Sequence, residues 1–377
     1  MRLVVVAGAR PNFVKVAPVI KALKNRPGTE TTLVHTGQHY DYEMSTSFFE
    51  ELQLPDPDIF LEVGSGSHGE QTGRILAAFE KVLLKDSTAA VVVVGDVNST
   101  LACALAAAKC GVPVAHVEAG LRSFDRRMPE EINRVLTDAL ADYLFTPSAD
   151  ADENLRREGA PEDRIFRVGN VMIDTLRENE AAARERNVSG RLGLKPGTYA
   201  VCTLHRPSNV DGANTLRTIL RVLSLLQEKC PVVFPLHPRT RMRLEDFGLA
   251  GTLNVQPNIR AIEPLGYLDF IGLTATAALV LTDSGGVQEE TTALGIPCLT
   301  LRETTERPVT VTMGTNAVVG TDPDRVLAAA DRALAGDWPR GTLPEGWDGH
   351  AADRIAAVLC GSKPTRASRG PTMSRVG

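Results

Sequence analysis

The stretch AVVVVGDVNST, residues 90–100, decides the fold class of this chain. Its first five residues are apolar and four of them are valine, so it predicts a strand that is covered on both faces. A helical pattern follows directly, at residues 100–109. A buried strand that leads at once into a helix is the unit of a parallel sheet with flanking helices. We therefore predict an α/β fold.

The same alternation of short apolar runs and helical patterns extends through the rest of the chain. Besides the strand at 90–94, a first set of strands is predicted at residues 3–6, 32–36, 114–117 and 143–146. After a charged stretch at residues 182–195, a second set is predicted at residues 199–203, 232–235, 279–282 and 298–301. Two such sets predict two Rossmann-like domains with parallel sheets and, where the carboxyl ends of the strands meet, a cleft for a ligand between the domains.

The division of the chain follows from this pattern. We place an N-terminal domain at residues 1–172, a C-terminal domain at residues 173–349 and a hinge at residues 169–174. A last helix at about residues 350–360 is expected to pack back on the first domain. Residues 361–377 hold basic residues among Ser, Pro, Thr and Gly, with no acid. They predict a disordered tail, because such a stretch buries too little apolar surface to offset its ordering entropy.

The composition is that of an ordinary globular protein. Of the 377 residues, 43% are hydrophobic and 23% are charged, and the net charge of −5 argues against a nucleic-acid or membrane-surface partner. No apolar segment has the length of a membrane span, and the apolar run after the first Arg is too short for a secretory signal. The six cysteines form no C-x-x-C pair, which favours reduced thiols in the cytoplasm.

A first glycine-containing turn, GARPNFVK at residues 8–15, connects a predicted strand to a helix. The free N–H groups of a helix start attract an anion, and Arg10 and Lys15 add positive charge there. The turn is not a G-x-G-x-x-G fingerprint, so it gives little support to a dinucleotide site. Taken alone, it favours an ordinary connection with solvated basic residues.

A second turn, TDSGGVQEE at residues 282–290, opens another helix after a strand. Ser284 can cap this helix or bond a phosphate oxygen, and Gly285 and Gly286 let the backbone approach a ligand closely. Glu289 or Glu290 could accept hydrogen bonds from a ribose, although acidic residues also occur in a first helical turn merely because they suit the helix dipole. The glycine pair favours a diphosphate site.

Three carboxylates follow the strands of the first set. Asp96 and Glu118 each come just after a predicted strand, and Glu130 begins a helix with Arg134 four residues further on. Carboxylates that converge on one cleft suit proton transfer, because unequal surroundings separate their pKa values into an acid and a base. For each residue alone, a helix cap or a salt bridge is an equally good interpretation.

His205 and Arg206 leave another predicted strand, a position that suits a proton carrier or a phosphate contact. A lone histidine is more often structural. None of the seven histidines stands beside a C-x-x-C pair, so we predict no metal. A serine hydrolase is unsupported because G-x-S-x-G is absent.

Together these residues resemble the non-hydrolysing UDP-N-acetylglucosamine 2-epimerases, whose fold is similar to the two-domain glycosyltransferase B architecture. The resemblance extends from Met1 to about Leu359. It is carried by GARPNFVK (8–15), TGQH (36–39), GD (95–96), HVEAGLR (116–122), PEEINR (129–134), HR (205–206), DSGGVQEE (283–290) and RETTERP (302–308). Each motif is only moderately specific, but their joint order is unusual.

The resemblance implies a reversible inversion at carbon 2 of UDP-N-acetylglucosamine or a close UDP-2-acetamido sugar, with no cofactor. UDP leaves by elimination across carbons 1 and 2, and a proton returns to carbon 2 of the 2-acetamidoglucal on the opposite face as UDP adds again. The residues that match the family's catalytic groups are Asp96, Glu118, Glu130 and His205. The matching substrate contacts, with Gly286 added from the glycine pair, are Arg10, Lys15, Arg134, Phe270, Ser284, Gly285, Gly286, Glu290 and Arg307. The family also implies a homodimer.

The sequence departs from the family pattern at three places. Asn12 stands where the first loop often carries Glu, and Pro207-Ser-Asn209 replaces a segment that often contains Glu. At residues 40–43, Tyr-Asp-Tyr-Glu replaces glutamines that help to bind a regulatory UDP-sugar, which argues against activation by substrate. These changes leave open a modified sugar, such as a 2,3-diacetamido uronate.

Three other functions fit the same architecture. A UDP-sugar glycosyltransferase would need an acceptor, a hydrolysing epimerase would release the free sugar, and a sensor would bind a UDP-sugar without chemistry. Incubation with the UDP-sugar alone separates all three from the epimerase.

Overall fold

The computed structural model describes residues 1–8, 10–37 and 51–361, without the side chains of Arg10, Pro11 and Asn254. The side chain of Arg10, the departure at residues 40–43 and the tail beyond Gly361 therefore lie outside the described residues.

The N-terminal half of the chain builds the first parallel sheet. Its strands in the described residues are β1 (Arg2–Ala7), β2 (Glu30–His35), β3 (Ile59–Phe60), β4 (Ala90–Val94), β5 (Val114–Val117), β6 (Tyr143–Thr146) and β7 (Ile165–Arg167). Their spatial order is β3-β2-β1-β4-β5-β6-β7, and neighbouring strands run parallel. All five residues of β4 are buried, as the valine run predicts.

Helices connect these strands and cover the sheet. They are α1 (Arg10–Lys24), α2 (His68–Lys85), α3 (Asn98–Lys109), α4 (Pro129–Leu140), α5 (Ala149–Arg157) and α6 (Val171–Glu185). Helix α2 is absent from the sequence prediction, although Ile75, Phe79, Val82 and Leu83 form its buried face at helical spacing. Gly69 and Gly73 in its first turns weaken the local helical signal.

The second parallel sheet follows in the C-terminal half. Its strands in the described part of the chain are β8 (Ala200–Thr203), β9 (Val232–Pro235), β10 (Ile259–Ile262), β11 (Leu279–Thr282), β12 (Cys298–Thr300) and β13 (Asn316–Val318), in the spatial order β10-β9-β8-β11-β12-β13. The accompanying helices are α7 (Val188–Arg191), α8 (Pro207–Val210), α9 (Ala213–Leu226), α10 (Pro238–Asp246), α11 (Ala250–Asn254), α12 (Tyr267–Thr274), α13 (Gly285–Leu294), α14 (Val309–Thr312) and α15 (Pro323–Leu334). Two parallel sheets in tandem confirm the predicted fold class.

The final helix, α16 (Ala351–Gly361), packs against α1 and α6. One core cluster contains Phe13 of α1, Leu176 of α6, Ile271 of α12 and Ile355 of α16. The last helix therefore belongs to the same core as the first one.

The segment that leads to α16 crosses the chain just before α6. A Cβ atom on Gly169 would lie 2.0 Å from the carbonyl oxygen of Gly346, and Gly169 has a φ of 90°, so glycine is required at this crossing. The buried indole N–H of Trp347 donates to the carbonyl oxygen of Pro147 over 2.9 Å. These contacts fix the returning segment on the N-terminal half.

A buried carboxylate in α6 holds the start of α16. Asp174 accepts hydrogen bonds from the backbone N–H groups of Ala351 (3.1 Å) and Ala352 (2.7 Å). Burial raises the pKa of Asp174 to about 6, although both N–H groups oppose this shift. Because the folded-state pKa exceeds the unfolded one, the folded protein binds more protons in this range, and stability falls as the pH rises towards 6.

Asp174→Asn is therefore expected to change the pH dependence of stability. The asparagine cannot ionise, so the thermal midpoint of the variant minus that of the wild type should increase between pH 4 and pH 7. Thermal unfolding in a series of buffers measures this difference. A difference that stays constant over the range contradicts the expectation.

Candidate active site

Two carboxylates stand at the carboxyl ends of β4 and β5. Asp96 lies two residues after β4, and Glu118 comes directly after β5. The φ of Glu118 is 71°, in the left-handed region that residues other than glycine rarely adopt. Backbone strain of this kind is concentrated at functional sites.

Glu118 keeps one oxygen atom without a protein partner. The residue is 5% exposed and forms an ion pair through Oε2 with the buried Lys15 of α1. Oε1 is buried and has no hydrogen-bond partner among the described residues. Leaving a buried acceptor unpaired is unfavourable, so Oε1 is well placed to receive a ligand proton.

Asp96 is held by the buried Arg134 of α4. The guanidinium pairs with Asp96 through Nη2 and with Glu131 through Nη1 (2.6 Å), rather than with Glu130 as the i,i+4 spacing suggested. Burial raises the pKa of Asp96, but the charges of Arg134 and Lys15 outweigh burial and lower it below its usual value. Asp96 is therefore an ionised carboxylate at neutral pH.

Glu131, which the sequence prediction missed, supports the loop before α4. Its carboxylate accepts from the backbone N–H and hydroxyl of Ser123 (both 2.9 Å) and from the N–H of Phe124 (2.8 Å). Its neighbour Glu130 is half-exposed, and Oε1 of Glu130 lies 4.0 Å from Nη1 of Arg206. Of the two adjacent glutamates, Glu130 is thus the one that faces the C-terminal half.

His205 leaves the carboxyl end of β8 and contacts a buried carboxylate after β11. Its Nδ1 lies 2.9 Å from Oδ1 of Asp283. The imidazole retains 35% of its exposed surface, whereas Asp283 is fully buried. Burial raises the pKa of Asp283, but the His205 imidazole and the backbone N–H groups of His205 and Arg206 together lower it below its usual value, so the carboxylate is ionised.

The glycine turn at the start of α13 is tightly packed by protein side chains. Ser284 is the residue before the helix, and its N–H donates to the Thr282 hydroxyl (3.0 Å). A Cβ on Gly285 would lie 2.3 Å from Nη1 of Arg307, and one on Gly286 would lie 2.9 Å from the methyl carbon of Met172. The missing side chains therefore make room for Arg307 and for α6.

Glu306 joins several arginines at the centre of the site. The carboxylate is 1% exposed and lies 2.8 Å from Arg302, 2.8 Å from Arg307 and 3.5 Å from Arg206. Burial raises the pKa of Glu306, but these arginines and Arg134 together lower it well below its usual range. The arginines are held together by this one buried negative charge.

The two halves of the chain interact electrostatically at Arg307 and Glu289. Arg307 Nε lies 2.7 Å from Glu289 Oε1, and the charges of Glu118 and Asp96 contribute to raising the pKa of Arg307 against the effect of burial. Burial raises the pKa of Glu289 to about 7; Arg307 opposes this shift and Glu118 adds to it. Carboxylates after β4 and β5 therefore lie close enough to Arg307 and Glu289 for their charges to act on them.

Two further predicted contacts lie in α13 and α12. Glu290 is buried, and burial together with the charge of Glu289 raises its pKa to about 8, although the Tyr267 hydroxyl lowers it. Phe270 in α12 is partly buried and packs against two core clusters. Part of its ring surface stays accessible for a ligand.

Two of the departures from the family pattern have structural roles. Asn12 is buried and donates to the carbonyl oxygen of Val94 over 2.9 Å. Asn209 is also buried and donates to Asp283 (3.1 Å) and to the carbonyl oxygen of Leu301 (2.9 Å). Both side chains fix the ends of strands at the site.

Sequence reasoning missed three acidic residues of this site, Glu131, Asp283 and Glu306, and left open whether Glu289 or Glu290 contacts a ligand. All of these residues lie inside the quoted motifs. The adjacent Glu-Glu pairs offered no local signal for which carboxylate faces a ligand and which faces the protein.

No group of His, Cys, Asp and Glu side chains in the described ranges has the arrangement of a metal site. Within the same ranges, no helix is both long and apolar enough to span a membrane.

Comparisons with known proteins identify one family. Residues 21–360 match the family described as UDP-N-acetylglucosamine 2-epimerase. The UDP-N-acetylglucosamine 2-epimerase of Methanocaldococcus jannaschii is 45% identical over 95% of this chain and 99% of its own length. The UDP-2,3-diacetamido-2,3-dideoxy-D-glucuronate 2-epimerase of Pseudomonas aeruginosa is 43% identical over 95% of this chain and 99% of its own length.

The solved structures agree with the sequence comparisons. The crystal structure of the M. jannaschii enzyme in complex with UDP-GlcNAc and UDP superposes with a TM-score of 0.89, and it covers 96% of this chain and 99% of the other. At this coverage the similarity extends over both sheets.

Proposed function

The chain belongs to the UDP-N-acetylglucosamine 2-epimerase family, and from this premise we propose that it reversibly inverts carbon 2 of UDP-N-acetylglucosamine or of a close UDP-2-acetamido sugar. The observation that carries the proposal is that carboxylates of the N-terminal half face arginines of the C-terminal half: Glu130 lies 4.0 Å from Arg206, and the charges of Glu118 and Asp96 act on Arg307. Proton transfer beside a departing diphosphate needs both kinds of group.

The chemistry is an elimination followed by its reversal on the other face. A base removes the proton from carbon 2, the C1–O bond to UDP breaks, and a C1=C2 double bond forms. UDP then adds again to carbon 1 while an acid returns a proton to carbon 2 from the opposite side. Asp96, Glu118 and Glu130 supply the acid and base groups, and His205 acts at the leaving phosphate.

The diphosphate is held by the C-terminal half. Arg307, Ser284 and the N–H groups at the start of α13 suit its negative charge. Glu290 bonds the ribose, and Phe270 packs against the uracil ring. Lys15 and Arg134 complete the polar surface from the N-terminal half, and the family resemblance adds Arg10, whose side chain lies outside the described residues.

The test is incubation of the protein with UDP-N-acetylglucosamine alone in heavy water, followed by proton NMR. We expect a mixture of gluco and manno epimers that carry deuterium at carbon 2. A sugar that stays inert until an acceptor is added identifies a glycosyltransferase. Loss of UDP-sugar with release of N-acetylmannosamine identifies a hydrolysing epimerase. Binding without exchange identifies a sensor.

A panel of substrates is needed to determine which substituents the sugar carries. The two relatives described above act on different sugars by name, yet their identities to this chain, 45% and 43%, are almost equal. The same NMR assay with UDP-N-acetylglucosamine and with UDP-2,3-diacetamido-2,3-dideoxyglucuronate compares them directly, and the faster exchange identifies the preferred sugar.

We further propose that residues 1–172 and 173–349 form the two domains, and that two copies assemble in the cytoplasm as a homodimer. Phe124 is 74% exposed, and Ile132 and Leu136 on one face of α4 are 47% and 46% exposed, which suits a contact with a second copy. Light scattering coupled to gel filtration tests the dimer, and Ile132→Glu is the variant expected to weaken it.

A further inference from the structure

The two carboxylate oxygen atoms of Asp283 have different hydrogen-bonding surroundings. Oδ2 accepts from the backbone N–H groups of His205 (3.1 Å) and Arg206 (3.0 Å) and from the side-chain amide of Asn209 (3.1 Å). Oδ1 faces Nδ1 of His205 at 2.9 Å and also lies 3.1 Å from its N–H. One oxygen thus fixes the loop, and the other contacts the imidazole.

An ionised carboxylate only accepts hydrogen bonds, so the Nδ1 atom that faces it must carry a proton. Nε2, on the other side of the ring, is then free to take or release the second proton, and the negative charge stabilises the imidazolium that results. We infer that Asp283 is a positioning residue, which holds a proton on Nδ1 of His205 and so reserves Nε2 for the leaving diphosphate. This inference rests on the proposed function of His205.

Asp283→Asn tests the inference because the three donors at Oδ2 determine the orientation of the new amide. Its single oxygen must occupy the Oδ2 position, which places the amide NH₂ opposite Nδ1 of His205. Nδ1 then has to accept, and the proton moves to Nε2. The variant therefore keeps most of the loop's hydrogen bonds while it reverses the tautomer of one histidine.

The chain contains an internal reference for this tautomer. Nδ1 of His237 accepts from the N–H of Arg239 (3.2 Å), so its neutral ring carries the proton on Nε2. The two rings are neighbours, with centroids 5.5 Å apart. Nitrogen-15 NMR of histidine-labelled full-length protein, with His205 assigned from its absence in His205→Gln, distinguishes the two tautomers. We expect His205 to show the Nδ1–H form in the wild type and the Nε2–H form in Asp283→Asn.

Kinetics of a double-mutant cycle provide the second readout. Asp283→Asn should lower kcat at least about tenfold with a smaller change in KM, since a misdirected proton affects the chemical step more than binding. In the His205→Gln background, Asp283→Asn should change kcat less than about twofold, because the imidazole that Asp283 orients is then absent. Asp211→Asn is the matched control: this nearby carboxylate pairs with Arg239 and Arg243, and its loss should leave kcat unchanged.

An Nε2–H tautomer in the wild type overturns the inference, as does an equal loss of kcat from Asp283→Asn with and without His205. Failure of the proposed function is a separate result. If the wild type exchanges no proton on any UDP-sugar, the epimerase proposal is wrong, while the nitrogen-15 spectrum still decides whether Asp283 sets the tautomer.

Discussion

Glu118→Gln is expected to lower kcat for epimerisation by at least about a hundredfold, the effect of losing a general acid or base. Glutamine keeps the shape of the side chain but cannot take up a proton, and it leaves the buried ammonium of Lys15 without its charge partner. Oε1 of Glu118 is a buried oxygen with no hydrogen-bond partner among the described residues. Deuterium incorporation at carbon 2, followed by NMR at saturating substrate, measures the change.

Asp96→Asn serves as the parallel variant, with a loss of similar size expected because Asp96 is held ionised by Arg134. Glu153→Gln is the control, since Glu153 is an exposed partner of Arg157 on α5 and its loss should leave kcat unchanged. Near-normal turnover in both Asp96→Asn and Glu118→Gln assigns these carboxylates a structural role. Circular dichroism of each variant separates a catalytic loss from an unfolded protein.

The second large effect is expected for stability, from Glu306→Ala. Removing this carboxylate leaves the buried Arg302 and Arg307 without their common counter-charge, and breaking a buried ion pair in this way costs about 3–5 kcal/mol. UDP should recover part of the loss, because its diphosphate brings negative charge to the same arginines and ligand binding stabilises the folded state. Thermal unfolding with and without UDP measures both effects.

Glu303→Ala is the control for this variant, because Glu303 lies on the same loop but is exposed. We expect Glu303→Ala to change the midpoint of thermal unfolding only slightly. We also expect UDP to raise the midpoint of Glu306→Ala by more than it raises that of the wild type. If UDP raises the unfolding midpoint of both proteins equally, the arginines around Glu306 do not bind the diphosphate.

The fold was predictable because its signals are local. The valine run of β4 is buried along its whole length, and a polar residue after each strand end identified Asp96, Glu118 and His205. The four outer strands β3, β7, β10 and β13 were missed, since they have two to four residues and lack the buried apolar run of the central strands. Local patterns define elements and their ends, and these are the features that the sequence predicted well.

The partners of each side chain were not predictable in the same way. Arg134 has Glu130 at helical spacing but pairs with Asp96 and Glu131. Arg206 and Glu306 are 100 positions apart in the chain and meet only because β8 and β12 end at the same edge of the second sheet. Such pairs depend on how elements pack, which a single sequence does not encode locally.

The return of α16 to the N-terminal half has a consequence for synthesis on the ribosome. Trp347 and Ile355 complete a core that includes Phe13, which emerges more than 300 residues earlier. This apolar surface of the nascent first sheet therefore stays uncovered until the whole second sheet and the final helix have been translated. Chaperone binding to nascent chains should persist through that interval and end only when the final helix leaves the exit tunnel.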